Sequence, residues 1–265
     1  MAVDMGALTT DLAAESAELY EVLSVLSETD WHRDTPAAGW SVRDQVTHLA
    51  YFDEAATLSA TDPDRFRAEA AELVAEGDDF PDRVAERFRD RSGAEVFSWL
   101  QRARREYLTI FAALDAGTAL PWYGPPMSAA SSVTARLMET WAHGQDVFDA
   151  LGLVRRPTAR LRHVAHLGVR TLGWSFRLHG RPVPETPVYV ELTGPGGDRW
   201  TWGPDDAADR VTGTALDFCL LVTQRRHRSA TALLATGPVA DTWLDVAQAF
   251  AGAPGPGRPP TEVRA

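Results

Sequence analysis

Glu139 and His143 stand four residues apart in Arg136-Leu137-Met138-Glu139-Thr140-Trp141-Ala142-His143. On a helix that spacing projects a carboxylate and an imidazole from one face, about one turn apart. The pair offers two ligands to one divalent ion. A third is at hand if His48 meets them in space, from the separate helical stretch Gly39-Trp40-Ser41-Val42-Arg43-Asp44-Gln45-Val46-Thr47-His48-Leu49. Two imidazoles and a carboxylate fill three positions around a metal and leave room for water or substrate, the ligand count of a catalytic rather than a structural site. A buried carboxylate without a partner is costly, and a cation flanked by two imidazoles removes that cost. Taken singly, each group has a plainer reading: His48 as a packed or surface histidine, Glu139 and His143 as an ordinary helix pair worth roughly 0.2–0.5 kcal/mol. Only the three together make a metal centre.

The elements that must position these groups are mostly helical up to about residue 180. Leu8, Leu12, Leu19, Val22, Leu23 and Leu26 fall at helical spacing, and Pro36 and Gly39 interrupt the pattern. Ser41, with Asp44 three residues on, has the form of a capping box. The helix it opens carries Val42, Val46, Leu49 and Phe52 on one side, with His48 near its middle. A charged stretch from Asp64 to Asp90 predicts two short helices split around Gly77 to Pro81. Ala94 to Leu114 predicts another long helix. Leu120-Pro121-Trp122-Tyr123-Gly124-Pro125-Pro126-Met127 must be a loop, since its prolines and glycine cannot continue a helix. Ser128 to Leu151 resumes helical spacing with Gly152 placed to end it, and Thr158 to Leu178 follows as a further helix. Long helices with short breaks predict a four-helix bundle, in which metal sites are assembled from facing helices.

After Gly180 the texture changes. Arg181 to Pro187 reads as a linker, Val188 to Thr193 alternates like a strand, and Gly194-Pro195-Gly196-Gly197-Asp198 is a turn before Arg199-Trp200-Thr201-Trp202. Asp209 to Thr212 gives a third strand, Ala215 to Gln224 a helix, Ala230 to Thr236 a strand and Val239 to Phe250 a helix. The fold class is therefore α+β. Its expected domains are a helical metal-binding domain over 1–180, a small α+β domain over 181–252 and a flexible tail over 253–265.

Composition narrows the function. The 265 residues are 45% apolar, enough for a sizeable core. A net charge of -11 argues against nucleic acid, where affinity needs cationic contacts to phosphate, and against anionic membrane surfaces. There is no lysine, which excludes a lysine Schiff base or lysine general base. Cys219 is the only cysteine and sits in an apolar helical run, so it reads as a buried small hydrophobe rather than a nucleophile. Neither a signal-peptide pattern nor a bilayer-length apolar run is present, and a cytoplasmic location is expected.

The segments around His48 and Glu139 also carry a resemblance. Gly39 to Leu49 resembles the opening metal-ligand segment of DinB-like proteins, and more narrowly the N-terminal domain of mycothiol-dependent maleylpyruvate isomerases. Glu139-Thr140-Trp141-Ala142-His143-Gly144-Gln145-Asp146 is similar to the Glu-x-x-x-His-x-x-Asp pattern on that family's later metal-bearing helix. Trp200-Thr201-Trp202-Gly203, Val211-Thr212-Gly213-Thr214-Ala215 and Gly237 to Leu244 resemble the small sterol-carrier-like C-terminal domain of many actinobacterial members. The resemblance implies that His48, Glu139 and His143 hold a divalent metal, most often zinc; the donor set also suits nickel or iron. It places Asp146 at the family's acidic position, as an acceptor behind a ligand or as a helix-packing contact.

In those relatives an arginine of the C-terminal domain contributes to the active site. The densest positive cluster here is Gln224-Arg225-Arg226-His227-Arg228, and Arg225 or Arg226 is the counterpart to expect. Without that role the cluster is a solvated turn at a helix C-terminus, where cations are favourable. His163 and His166 share a helix face but lack a local carboxylate, so solvent or interface roles are expected. Trp122 and Tyr123 line an entrance or pack over the end of the bundle. The expected activity is a metal-dependent isomerisation or S-transfer in which a low-molecular-weight thiol such as mycothiol attacks a small electrophile. The alternatives are a hydrolase or lyase working through metal-activated water, and a protein that only binds a metal or small ligand. Oligomeric state is not legible.

Overall fold

A computed structural model of the chain describes residues 3–77, 79–252, Gly255 and Arg258, arranged as two compact units, Met1–Arg155 and Arg156–Ala265. Among the described residues the first unit contains seven helices: α1 (Met5–Leu23), α2 (Glu28–Trp31), α3 (Val42–Thr61), α4 (Pro63–Ala75), α5 (Phe80–Arg87), α6 (Gly93–Ala112) and α7 (Ala129–Leu151). A two-residue strand pair, β1 (Ala119–Leu120) with β2 (Met127–Ser128), pinches the proline-rich loop before α7. The expected four-helix bundle is made by α1, α3, α6 and α7: α3 packs on α6 and α7, and α1 packs on the same two. Leu19 and Leu23 of α1, Val46 and Leu49 of α3, Val96 and Leu100 of α6 and Val147 of α7 bury together. Each such side chain contributes about 1.5–3 kcal/mol on leaving water.

The helix starts follow from local chemistry. Ser41 and Asp44 form a capping box at α3, and Ser92 with Glu95 forms another at α6. The expected break around residues 77–81 separates α4 from α5, with a proline in the first turn of α5. Gly93 is required by contact rather than by φ: a Cβ there would lie 2.2 Å from the Trp31 ring. At the end of α7, Gly152 adopts the left-handed conformation with φ 69°.

The second unit begins earlier than the expected boundary at 180. The helix expected over Thr158–Leu178 is two, α8 (Leu161–Arg170) and α9 (Leu172–Leu178). They are broken at Thr171, whose hydroxyl bonds back to the Leu167 and Gly168 carbonyls in competition with the helical ladder. Both pack in the second unit, α8 on α10 (Ala215–Val222) and α9 on α11 (Pro238–Val246), which explains the division at Arg155–Arg156. The strands β3 (Val188–Thr193), β4 (Arg199–Trp202), β5 (Asp209–Thr214) and β6 (Leu234–Thr236) form one sheet in the order β4-β3-β5-β6. Only the β3–β5 pair is parallel. The strand expected from Ala230 starts at Leu234, after a 3-10 turn over Arg228–Ala230. The helix expected to reach Phe250 stops at Val246, because the Gln248 backbone pairs with the Ser175 hydroxyl and Ala249 N–H donates to the Val222 carbonyl. The tail expected over 253–265 lies outside the described residues except for Gly255 and Arg258. Among the described residues no helix is long and apolar enough to cross a membrane.

Candidate functional site

The three candidate ligands meet inside the helical unit. His48 Nε2 from α3 lies 3.4 Å from Glu139 Oε2, and His143 Nε2, one turn along α7 from Glu139, lies 3.0 Å from the same oxygen. The ligand atoms of all three are within 4.8 Å of one another. His143 is buried, while His48 and Glu139 keep a small exposed fraction, so the centre is reachable but shielded.

Electrostatics favours the neutral imidazole of His48 and the ionised carboxylate of Glu139, the forms in which such groups ligate. Burial, joined by the nearby His143, lowers the His48 imidazole to about 3, against which contact with Glu139 pulls only partly. Burial alone would raise the Glu139 carboxyl, but hydrogen bonds from His143 and His48 outweigh it and hold the group well below the usual carboxylate range. The site thus presents a neutral imidazole at His48 beside a carboxylate. Asp146 is fully buried one turn beyond His143. The acceptor on the far nitrogen of His143 is Gln45 Oε1, a residue the apolar periodicity of α3 passes over.

Rings wall the centre. Trp40 stacks on His143 with centroids 5.8 Å apart and planes 21° apart, and its indole N–H donates to Asp82 of α5 at 2.6 Å. Phe52, one turn beyond His48, packs its ring 4.5 Å from the imidazole. Trp122 and Tyr123 extend this aromatic wall. Both pack on Phe52 and Phe66, and Tyr123 also stacks on Phe80. Burial pushes the Tyr123 phenol up, so it stays protonated and the wall stays neutral.

Behind the ligands lies a charged scaffold that the periodicity does not flag. Asp53 of α3 accepts from Arg104 of α6 at 2.6 and 3.1 Å and from Arg136 of α7 at 2.9 Å, and all three are buried. Arg104 also donates to Ser16 of α1 at 2.5 Å and Thr140 of α7 at 3.0 Å, and Arg136 donates to the Leu49 carbonyl at 3.0 Å. One carboxylate and two guanidiniums therefore tie all four bundle helices together within a turn or two of the ligands. The detectable signal was a charge inside an apolar stripe, since Asp53 follows Leu49 by four residues and Val46 by seven.

The remaining candidates lie in the second unit. Arg225 and Arg226 are half-buried just past α10, where Gln224 turns the chain at φ 57°. Their Nη1 atoms donate to the Thr223 and Arg225 carbonyls at 2.6 and 2.7 Å, bonds expected of cations at a helix C-terminus. Arg228 pairs with Asp241 and Asp245 of α11. His166 accepts from the Trp202 indole at 3.2 Å. Cys219 is fully buried with its thiol donating to the Leu161 carbonyl at 3.4 Å, and burial pushes that thiol up, which removes it as a nucleophile.

Comparison with known proteins matches each unit. The family model described as mycothiol maleylpyruvate isomerase N-terminal domain matches residues 12–148, which contain all three candidate ligands. A second family model, described as wyosine base formation, matches residues 184–236. Two chains from strains of Mycobacterium tuberculosis, uncharacterized proteins Rv0036c and MT0041, are each 47% identical over 256 residues, covering 96% of this chain and 99% of the relative. Among solved structures, a mycothiol-dependent maleylpyruvate isomerase aligns with a TM-score of 0.58 at 14% identity, over 88% of this chain and 93% of that one. A histidine-to-alanine mutant of that isomerase aligns with a TM-score of 0.59 at 13% identity and the same coverage. At these identities the likeness is one of fold.

Proposed function

The chain belongs to the family of the mycothiol maleylpyruvate isomerase N-terminal domain, and from that membership we propose that it is a metal-dependent enzyme acting on a small electrophile with a low-molecular-weight thiol, mycothiol or a close analogue, as cosubstrate. The observation that carries this reading is the convergence of two Nε2 atoms on one Glu139 oxygen. Two nitrogens and a carboxylate oxygen from facing helices suit zinc, and nickel or iron with the same donors. His48, Glu139 and His143 would hold the ion. Bound there, it would supply the positive charge that draws a thiol toward thiolate at neutral pH.

The residues of the chain supply the rest. Glu139, kept ionised between the imidazoles, brings the negative charge that retains a dication. Trp40 and Phe52 flank the histidines with apolar faces, limiting water and strengthening electrostatic interactions inside the site. The Asp53–Arg104–Arg136 network fixes α3 against α7, so the distance between His48 and Glu139 is set by the bundle rather than by the ion. The isomerase class is favoured because the same fold is seen in an isomerase that depends on mycothiol. Arg225 and Arg226 are proposed to recognise a carboxylate on substrate or cosubstrate.

Elemental analysis of purified wild-type protein and His143→Ala, followed by assays of electrophile turnover with and without added thiol over a panel of electrophiles, tests the reading. Close to one metal per chain in the wild type, lost in the variant, with turnover that needs both metal and thiol, is expected. Turnover that needs the metal but no thiol would assign a hydrolase or lyase instead. Turnover that survives replacement of all three ligands would remove the metal from the chemistry.

A further inference from the structure

The far side of His143 is held by a chain of hydrogen bonds whose directions are all determined. Thr35 Oγ1 lies 2.7 Å from the Trp40 carbonyl oxygen. A carbonyl carries no hydrogen, so the hydroxyl proton must lie on that line. The hydroxyl lone pair then remains to receive, and the atom 2.8 Å from it is Nε2 of Gln45. With the amide nitrogen committed to Thr35, the atom of Gln45 that meets His143 Nδ1 is Oε1. An amide oxygen only accepts, so Nδ1 must carry a proton. The opposite amide orientation would call the Thr35 proton away and leave two bare oxygens 2.7 Å apart. The chain is anchored in backbone, because Thr35 N–H donates to the same Trp40 carbonyl at 2.8 Å and Asp34 bridges to Ser41. Gln45, Thr35 and His143 are all buried, where a misdirected donor has no water to turn to.

We propose that Gln45 is a positioning residue that presets His143 as a ligand: by accepting the Nδ1 proton it keeps that nitrogen out of coordination and leaves Nε2, 3.0 Å from Glu139 Oε2, as the nitrogen that an ion would take. This rests on the reading of His48, Glu139 and His143 as a metal centre. The two histidines are then unequal. Among the described residues, the Nδ1 of His48 is buried with no hydrogen-bond partner, so no acceptor holds a proton there as Gln45 does at Nδ1 of His143.

Three variants with two readouts test the proposal. Gln45→Leu keeps the volume and removes the acceptor; Gln45→Glu keeps an acceptor; Thr35→Val leaves Gln45 in place but releases its amide. The first readout is the protonation of His143 Nδ1 in metal-free protein, by long-range nitrogen–proton correlation with the resonance identified through His143→Ala. The second is zinc affinity by competition with a chelator. Wild-type His143 is expected to carry its proton on Nδ1. Gln45→Leu should lose that signature and bind zinc about 10–100-fold more weakly, the usual effect of removing a residue that orients a ligand. Gln45→Glu should retain both. Thr35→Val should show a mixed signature with a smaller loss, and it decides the matter if Gln45→Leu does not fold. Wild-type protein that takes up no zinc would overturn the metal reading and this proposal with it. Wild-type protein that binds zinc while His143 Nδ1 is unprotonated, or variants lacking the acceptor that bind zinc as tightly as wild type, would overturn the role of Gln45 and leave the metal site standing.

Discussion

At the scale of single residues, the cluster makes the metal-free protein sensitive to acid, with a sign that can be worked out. His48 in the fold is lowered from 6.5 to about 3 by burial. Between those values the unfolded chain binds a proton that the folded one does not, so stability falls as pH falls. Glu139 is lowered below 4.5 by its bonds to the histidines, and its contribution is present above that value and lost as pH falls through it. Both groups act in the same direction, His48 beginning near pH 6.5 and Glu139 near pH 4.5. Melting curves of metal-free wild type and His48→Phe from pH 7.5 to pH 4 check this. The wild type should lose melting temperature more steeply below pH 6.5, and parallel curves would mean that His48 is not held neutral by the fold. His48, Glu139 and His143 were legible from spacing because the ligand types are few and the turn of a helix is fixed. Gln45 was not, since an amide in a helix carries no chemical signature until its two ends are assigned partners.

At the scale of elements, position depends on charges that sequence patterning reads as solvent-facing. Apolar periodicity places α1, α3, α6 and α7 and the break between α4 and α5, because burying Leu and Val on one face leaves a 3.6-residue imprint. It does not place Asp53, Arg104 or Arg136, which sit in the same faces and become intelligible only when three helices meet. The same limit explains the helix break at Thr171: a side chain returning to its own ladder is a local competition that periodicity does not register. The buried carboxylate makes a sharp prediction. Asp53→Asn leaves two guanidiniums in the bundle with no counter-charge and should cost about 3–5 kcal/mol in urea unfolding, the scale for breaking a buried ion pair from one side. Replacing Asp53, Arg104 and Arg136 together by Leu, Met and Met should cost much less, since no charge is then stranded. Equal losses in the single and triple variants would show that packing at these positions matters more than charge. A capping-box change has a smaller scope: Ser41→Ala should lose about 1 kcal/mol by unfastening the start of the helix that bears His48.

At the scale of the whole molecule, a net charge of -11 sets the background against which any anionic substrate must be recruited. A carboxylate approaching such a surface is repelled at long range, so recognition needs a local concentration of cations. The second unit supplies one at the end of α10. There Arg228 pairs with Asp241 and Asp245, and Arg225 and Arg226, beside it in sequence, are the pair proposed for the task. A charge-assisted bond to a carboxylate is worth about 1.5–3 kcal/mol, or roughly 10–100-fold in an equilibrium constant. Arg225→Gln combined with Arg226→Gln should therefore raise KM for a carboxylate-bearing electrophile by at least tenfold, with zinc content per chain unchanged. The neutral ester of the same electrophile serves as the internal control, because it presents the reacting carbon without the charge. A true recognition role lowers kcat/KM for the acid and spares the ester; a structural role lowers both together, and a melting curve shows the accompanying loss of stability. Equal effects on acid and ester would return the arginines to the plainer role their backbone bonds already describe, closing the C-terminal turn of α10.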